Sequence, residues 1–541
     1  MADTFSKAGL DHSVIIIGAG VSGIYQLYRL LQEGVDVTVL EAGSEPGGTW
    51  YWNRYPGARF DSESYTYGYS FSKELLQEWD WSEHFSAQPE TLRYLTHVVD
   101  KFDLKKHMQF DCRMNSATYD EDRNCWKLDL SDGRTLTCRF LISAIGMLSA
   151  PTMPTIEGVD DFEGEAFHTY YWPKEKVDLT GKKVAVLGTG ATGVQVISEI
   201  ADKVGSLTVF QRRPNWCAPL HNGPIDDETM AEIKQNYDEI FARCKETPGG
   251  FLHGPDPRSY HDVTEEERIA LWEKLYAEPG FGVWVGGFRE TLMDADVNVE
   301  YSKFIAEKIR QRVKDPAVAD KLIPKDHGFG TRRVPLETRY YEAYNRDNVS
   351  LVDISEAPIE RITKKGIKTT EREHEFDLIV YATGFDAITG AFDRIDITGI
   401  GGEKLRDKWV DGPVTYLGVQ TGGFPNFLVL AGPQGGSVAT NFPRGIEDAV
   451  DWVTNLLKDM RAKGRTRIQP SLRAEKEWND HVIDTYSYTL FGTAKSWFTG
   501  YNSNVEGHDK TRYMIYNGGA VRYRMRLDKV ALDDYSGFEF A

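Results

Sequence analysis

Two stretches of the chain carry the same order of apolar and polar positions. Ser13-Val-Ile-Ile-Ile17 is a β-branched run that stops at Gly18-Ala-Gly20-Val-Ser-Gly23. Val21, Ile24, Leu27, Tyr28 and Leu31 then recur at helical spacing, Gly34 lies past the helix end, and Val35–Leu40 reads as a second strand ending at Glu41. Lys183–Arg213 repeats this unit: strand Val184–Leu187, Gly188-Thr-Gly190-Ala-Thr-Gly193, a helix through Val194, Val196, Ile197 and Ile200, then strand Leu207–Phe210. Each is a βαβ unit, the building block of a parallel sheet.

The repetition extends further. Phe140-Leu-Ile-Ser-Ala144-Ile-Gly146 and Leu378-Ile-Val-Tyr-Ala382-Thr-Gly384 are both buried-type strands ending in Ala-x-Gly. Gly18 to Gly146 spans 128 positions and Gly188 to Gly384 spans 196, so the second copy carries 68 extra residues. The excess is assigned to Asn222–Lys325, which is charged and helix-patterned over Asp226–Phe241, Thr264–Tyr276 and Ser302–Arg312. After Gly384 the chain is expected to return to the first unit, with a strand in Phe424–Pro433 and a helix over Ile446–Met460 whose N-terminus lies near residue 445.

The glycines set the chemistry. Gly-x-Gly-x-x-Gly between a strand and a helix lets the backbone close on a pyrophosphate at the helix N-terminus. Strand, glycines, helix, strand and terminal acid together point to an adenine dinucleotide at Gly18, Gly20 and Gly23. Glu41, 23 positions after Gly18, suits ribose hydroxyls and repels a 2′-phosphate, which favours FAD or NAD. The second unit ends in Gln211-Arg212-Arg213 instead, and two guanidiniums there favour the 2′-phosphate of NADPH. The expected fold is α/β, with two Rossmann-like dinucleotide-binding domains and a helical insertion. Residues 1–146 and 387–541 form the first domain, 147–220 and 331–386 the second, and 221–330 the insertion.

Composition narrows the class. At 541 residues, 41% hydrophobic and 27% charged, the chain is long enough for several cores. A net charge of −19 argues against nucleic acid or an anionic membrane as partner. No apolar run approaches a membrane span and the N-terminus lacks a signal-peptide core, so a cytoplasmic monomer or weak homo-oligomer is expected. The five cysteines form no Cys-x-x-Cys pair and no metal cluster, which disfavours a flavin–disulfide reductase; no metal site is expected.

Two further motifs are more specific. Phe162-x-Gly164-x-x-x-His168-x-x-x-Trp172-Pro173 precedes the second fingerprint, and Gly47-Gly48-Thr49-Trp50 is followed by Arg54-Tyr-Pro-Gly57 and Asp61. Together they resemble the signatures of type I Baeyer–Villiger monooxygenases, a resemblance that spans nearly the whole chain. It implies FAD, NADPH/NADP+, a ketone and O2, with the ketone converted to an ester or lactone through a C4a-peroxyflavin. By resemblance Arg333 is the catalytic arginine, Asp61 the carboxylate that pairs with it, and Arg332 a basic residue near the 2′-phosphate, where lysine is usual. Gly48, Thr49, Trp50, Arg59, Asp61 and Tyr67 are the implied flavin-side contacts. Thr189, Gly190, Thr192, Gly193 and Gln195, together with Arg212 and Arg213, are the nucleotide-side ones. Trp497 matches a tryptophan on a loop covering the nicotinamide, and His168 is read as a linker residue coupling the domains. A guanidinium keeps its charge in a protein and stabilises an anionic adduct, which is the physical case for Arg333. Two alternatives share the nucleotide sites: a monooxygenase of sulfur or nitrogen centres, and an NADPH oxidase or redox sensor without organic substrate. By resemblance, the turn Gly432–Pro443 is as long as in phenylacetone-type members and longer than in cyclohexanone-type ones, which implies a different pocket shape and cyclic, bulky or aryl ketones.

Overall fold

The computed structural model describes residue 7 and residues 9–541. Its first sheet has eight strands. His12–Ile17 lies between Val37–Leu40 and Thr135–Ser143, parallel to both, and Met108–Gln109 extends the Val37–Leu40 edge. Thr135–Ser143 is long enough to serve two neighbours. Its first half pairs antiparallel with Cys125–Leu130, and its last residues pair parallel with Phe427–Val429, Ser143 opposite Val429. Asp396–Thr398 joins the far edge beside Met114–Asp120. The chain beyond Gly384 therefore returns to the first sheet, as its pattern predicts.

The second sheet is wholly parallel, in the order Val349–Asp353, Ser206–Gln211, Lys183–Leu187, Leu378–Tyr381, Glu165–His168. Val184, Ala185 and Val186 have no exposed surface, the mark of a strand covered on both faces. A three-stranded antiparallel meander, Ile359–Thr363, Gly366–Thr369 and Glu373–Glu375, precedes Leu378–Tyr381. The meander Met114–Asp120, Cys125–Leu130 and Thr135–Ser143 holds the equivalent place in the first copy.

The two fingerprints are under the same steric constraint. A Cβ on Gly18 would lie 2.6 Å from the Ala144 carbonyl oxygen, and one on Gly188 2.5 Å from that of Ala382. A Cβ on Gly23 would lie 1.9 Å from Gly18 O, and one on Gly193 2.2 Å from Gly188 O. The Ala-x-Gly strands thus close against the first glycine of each loop, and the third glycine lets helix and strand touch.

The insertion is helical, with two departures from the expected boundaries. Asp226–Phe241 is two helices, Asp227–Gln235 and Tyr237–Glu246, broken at Asn236. The third helix runs Ala295–Arg312 rather than from Ser302, because Asp294 caps it by accepting from Asp296 and Val297 N–H. The second, Glu265–Ala277, is closed by a Thr264/Glu267 capping box. Phe442–Lys463 begins earlier than expected and buries Ile446, Val450, Val453 and Leu457 completely, each worth roughly 1.5–3 kcal/mol. It packs beside Val21–Gln32, where Gln26 Nε2 donates to Thr454 Oγ1 at 3.0 Å. The tail strand Phe538–Phe540 pairs with Ile468–Pro470.

Candidate functional site

A cavity of about 1810 Å³ runs between the two sheets and the insertion, larger than the roughly 300–1,000 Å³ usual for one small ligand. The helices Val21–Gln32 and Ala191–Ile200 start at Gly20 and Gly190, and neither N-cap carries a side-chain hydrogen bond. First-turn N–H groups are therefore left for an anion at both ends. Gly18, Gly20, Thr189, Gly190 and Thr192 line the cavity; Gly23 and Gly193 do not. These last two press on Gly18 O and Gly188 O, where a side chain would not fit.

Glu41 closes the first strand pair almost fully buried. Its Oε2 accepts from Ala19 N–H and its Oε1 from Gly43 N–H, both at 2.7 Å. Burial pushes its carboxyl up, and the two N–H donors oppose the rise. On the same wall Thr49–Trp52 forms a single helical turn, and Gly48, Thr49, Trp50 and Tyr67 face the cavity. Trp50 Nε1 donates to Tyr67 OH at 3.0 Å, and Tyr67 stacks on Phe60 at 4.2 Å. Gly47 N–H donates to Ala19 O at 2.9 Å, which leaves the Gly48 amide to face the cavity.

Arg59 and Gln195 join the two units. Gln195 Nε2 donates to Arg59 O at 2.9 Å, Tyr55 OH donates to Gln195 Oε1 at 2.8 Å, and Arg59 Nη1 reaches Glu83 at 3.1 Å and Phe85 O at 3.0 Å. Asp61, two residues on, holds Arg333: Nη2 lies 2.8 Å from Asp61 Oδ2, with the carboxylate side chain 4% exposed and the arginine 31%. Arg333 also donates to Val334 O, and its guanidinium lies over the rings of Phe281 at 4.9 Å and Trp284 at 5.6 Å. Trp284 is itself fixed by Nε1 donating to Gly330 O at 3.1 Å. Sequence reasoning missed Phe281 and Trp284; the glycine-rich run Gly280–Gly287 around them is the one signal available.

Arg212, Arg213 and Arg332 also face the cavity. Burial lowers the pKa of Arg212 and, next, so does Arg213; burial likewise lowers that of Arg332, against the pull of Asp326 at 3.1 Å. Arg332 Nε is buried without a hydrogen-bond partner among the described residues, as is Asp61 Oδ1. Crowded guanidiniums with an unused donor suit a phosphate dianion. An acid at one uncapped helix and three arginines at the other fit two different dinucleotides.

Trp497 lines the cavity against Phe498 at 4.3 Å. His168 does not; it ends the edge strand of the second sheet, accepts from Tyr170 N–H at 3.1 Å, and burial lowers its pKa to about 4. All five cysteines are buried and unpaired. The structure does bring Asp386, Asp393 and His508 together, ligand atoms within 4.8 Å, a grouping the sequence hides. His508 Nδ1 lies 3.1 Å from Asp386 Oδ1, and the Arg512 guanidinium adds positive charge in the field of both carboxylates.

The pyridine nucleotide-disulphide oxidoreductase family matches residues 15–243. The chain is 48% identical over 547 residues to 2-oxo-Δ3-4,5,5-trimethylcyclopentenylacetyl-CoA monooxygenase of Pseudomonas putida, covering 100% of both. It is 40% identical over 534 residues to a Baeyer–Villiger monooxygenase of Pseudooceanicola batsensis, covering 98% of this chain and 96% of that one. The crystal structure of OTEMO in complex with FAD and NADP superposes with a TM-score of 0.95 at 47% identity, covering 98% of this chain and 100% of the other.

Proposed function

The chain belongs to the Baeyer–Villiger monooxygenases, and from that premise we propose how its own residues share the work. It is an FAD- and NADPH-dependent oxidoreductase that converts ketones to esters or lactones. The chemistry that FAD would supply here is hydride acceptance from NADPH and activation of the oxygen that is inserted, with O2 the proposed source.

The observation that carries the assignment of roles is the Arg333–Asp61 pair at the meeting of the two nucleotide walls. Arg333 presents a permanent positive charge to the reacting carbonyl, stabilising negative charge as it develops on oxygen. Asp61 fixes the guanidinium, and Phe281 and Trp284 hold its flat faces, so little reorganisation remains at the moment of reaction. Gly18, Gly20, Glu41, Gly48, Thr49, Trp50 and Tyr67 hold the flavin nucleotide. Thr189, Gly190, Thr192, Arg212, Arg213 and Arg332 hold NADPH, Gln195 and Arg59 tie the two walls, and Trp497 covers the nicotinamide end. We assign residues 1–146 and 387–541 to the FAD domain, and 147–220 and 331–386 to the NADP domain. Residues 221–330 roof the ketone compartment. Given a relative that acts on a substituted cyclopentenyl ring, a cyclic ketone is the proposed substrate.

NADPH consumption with a panel of cyclic and aryl ketones, with peroxide titrated and products weighed by mass spectrometry, tests this reading. A ketone-dependent gain of one oxygen with little peroxide supports it. Peroxide equal to NADPH for every ketone, with a sulfide or amine oxygenated instead, overturns the substrate assignment.

A further inference from the structure

The three-residue segment Asp61-Ser62-Glu63 pins two side chains of the cavity wall. Asp61 holds Arg333, and Glu63 Oε1 lies 3.1 Å from His253 Nε2. Glu63 is 4% exposed, and its other oxygen, Oε2, is buried with no hydrogen-bond partner among the described residues. With Glu63 Oε1 as the acceptor a hydrogen sits on His253 Nε2, and Nδ1 is the ring nitrogen left for a further partner. No described residue is hydrogen-bonded to that nitrogen.

The ring sits against the arginine platform. Cβ atoms added to Gly280 and Gly282 would lie 3.3 Å from His253 Nε2 and 3.2 Å from its Nδ1. His253 thus packs on both glycines flanking Phe281, whose ring carries Arg333. The insertion's share of the cavity wall is otherwise largely apolar, with Phe251, Phe281, Phe288 and Leu292 among its residues. The Asp, Glu, Lys and Arg side chains it contributes there, among the described residues, are Glu246 and Arg289, both exposed.

We propose that His253, oriented by Glu63, accepts a hydrogen bond from a hydroxyl or N–H group of the ketone, at a second position away from the carbonyl that Arg333 faces. The substrate class is a cyclic ketone bearing such a donor. His253 is a substrate-anchoring residue and Glu63 its positioning residue. A site built to bond a substrate hydroxyl discriminates against the analogue that lacks it, because its own buried polar group is then left unpaired. This inference rests on the ketone reading above.

The test uses the full-length FAD enzyme loaded with NADP+. Matched 3- and 4-substituted cyclohexanones carrying hydroxyl, methoxy or methyl groups are titrated while tryptophan fluorescence is followed, and kcat/KM is measured for the same set. The expected result is tighter binding of a hydroxyl ketone than of its methyl ether, by about tenfold. His253→Phe loses that preference and His253→Asn, which keeps an acceptor, retains much of it. No hydroxyl preference in the unaltered enzyme overturns the proposal, as does a preference that survives in His253→Phe. A purely structural histidine weakens all three ketones alike and leaves their ratio unchanged, which also overturns it. If no ketone is oxygenated, the ketone reading fails, while the ratio of binding constants still decides the role of His253.

Discussion

Arg333 Nη2 and Leu336 N–H share one oxygen of Asp61, at 2.8 and 3.1 Å. The carboxylate therefore fixes both the guanidinium and the start of the short strand Leu336–Glu337 that follows it. Asp61 lies in the loop after the first βαβ unit and Arg333 272 positions later, so the pair staples the two halves of the site.

Removing the charge at Arg333 is expected to separate the two halves of the reaction. Arg333→Ala lowers ketone oxygenation by about 10²–10³-fold, the effect of losing one preorganised oxyanion-stabilising donor. Flavin reduction by NADPH continues and peroxide rises. Asp61→Asn keeps an acceptor for Leu336 N–H but not the charge, and is expected to lie between the two. Stopped-flow flavin reduction, read beside product yield and peroxide, checks the separation; equal loss of reduction and oxygenation contradicts it.

The nucleotide preferences can be tested through the arginines. Arg212→Ala and Arg332→Ala each remove a charged donor from the 2′-phosphate and are expected to weaken NADPH by about ten- to a hundredfold. NADH, which has no such phosphate, is expected to change little. Dissociation constants for both nucleotides, measured by calorimetry, give the ratio. An equal loss for NADPH and NADH places these arginines elsewhere.

Repeating local patterns made much of this fold legible. Both βαβ units, their fingerprints and the paired Ala-x-Gly strands obey short-range rules, so Gly18 and Gly188 announce themselves. The break at Asn236 was hidden because the polar residues on either side continue a helical rhythm. Asp61 and Arg333 were found through resemblance; their spacing alone says nothing, since contact across 272 positions is a property of topology. Phe281, Trp284 and the Glu63–His253 contact were not found, because aromatic residues in a glycine-rich run read as ordinary core. What singles them out is the guanidinium above the rings and the buried acid beside the imidazole.

The third glycines offer a test that distinguishes the two nucleotide sites. Gly23→Ala forces a Cβ to within 1.9 Å of Gly18 O, and Gly193→Ala to within 2.2 Å of Gly188 O. Neither backbone oxygen can move without opening the strand–helix contact. Gly23→Ala is expected to yield protein depleted of FAD. Gly193→Ala is expected to keep FAD and bind NADPH at least tenfold more weakly. Flavin absorbance per mole of protein and an NADP+ titration separate the two, and loss of FAD in both variants contradicts the assignment.

His168 gives the chain a pH-dependent stability term whose sign follows from burial. Its folded pKa is lowered to about 4, against about 6.5 for an unfolded histidine. Between those values the unfolded chain binds a proton that the folded chain refuses, so stability falls as pH drops from about 6.5 towards 4 and is constant above that window. The full effect is of order 3 kcal/mol. His168→Asn keeps an acceptor for Tyr170 N–H but cannot titrate, and is expected to remove this slope. Melting temperatures of the two proteins from pH 7.5 to 4.5 provide the check: the curves should converge as pH falls. Parallel curves would mean that His168 binds its proton equally in the folded and unfolded chains, and would overturn the reading of its environment as dry.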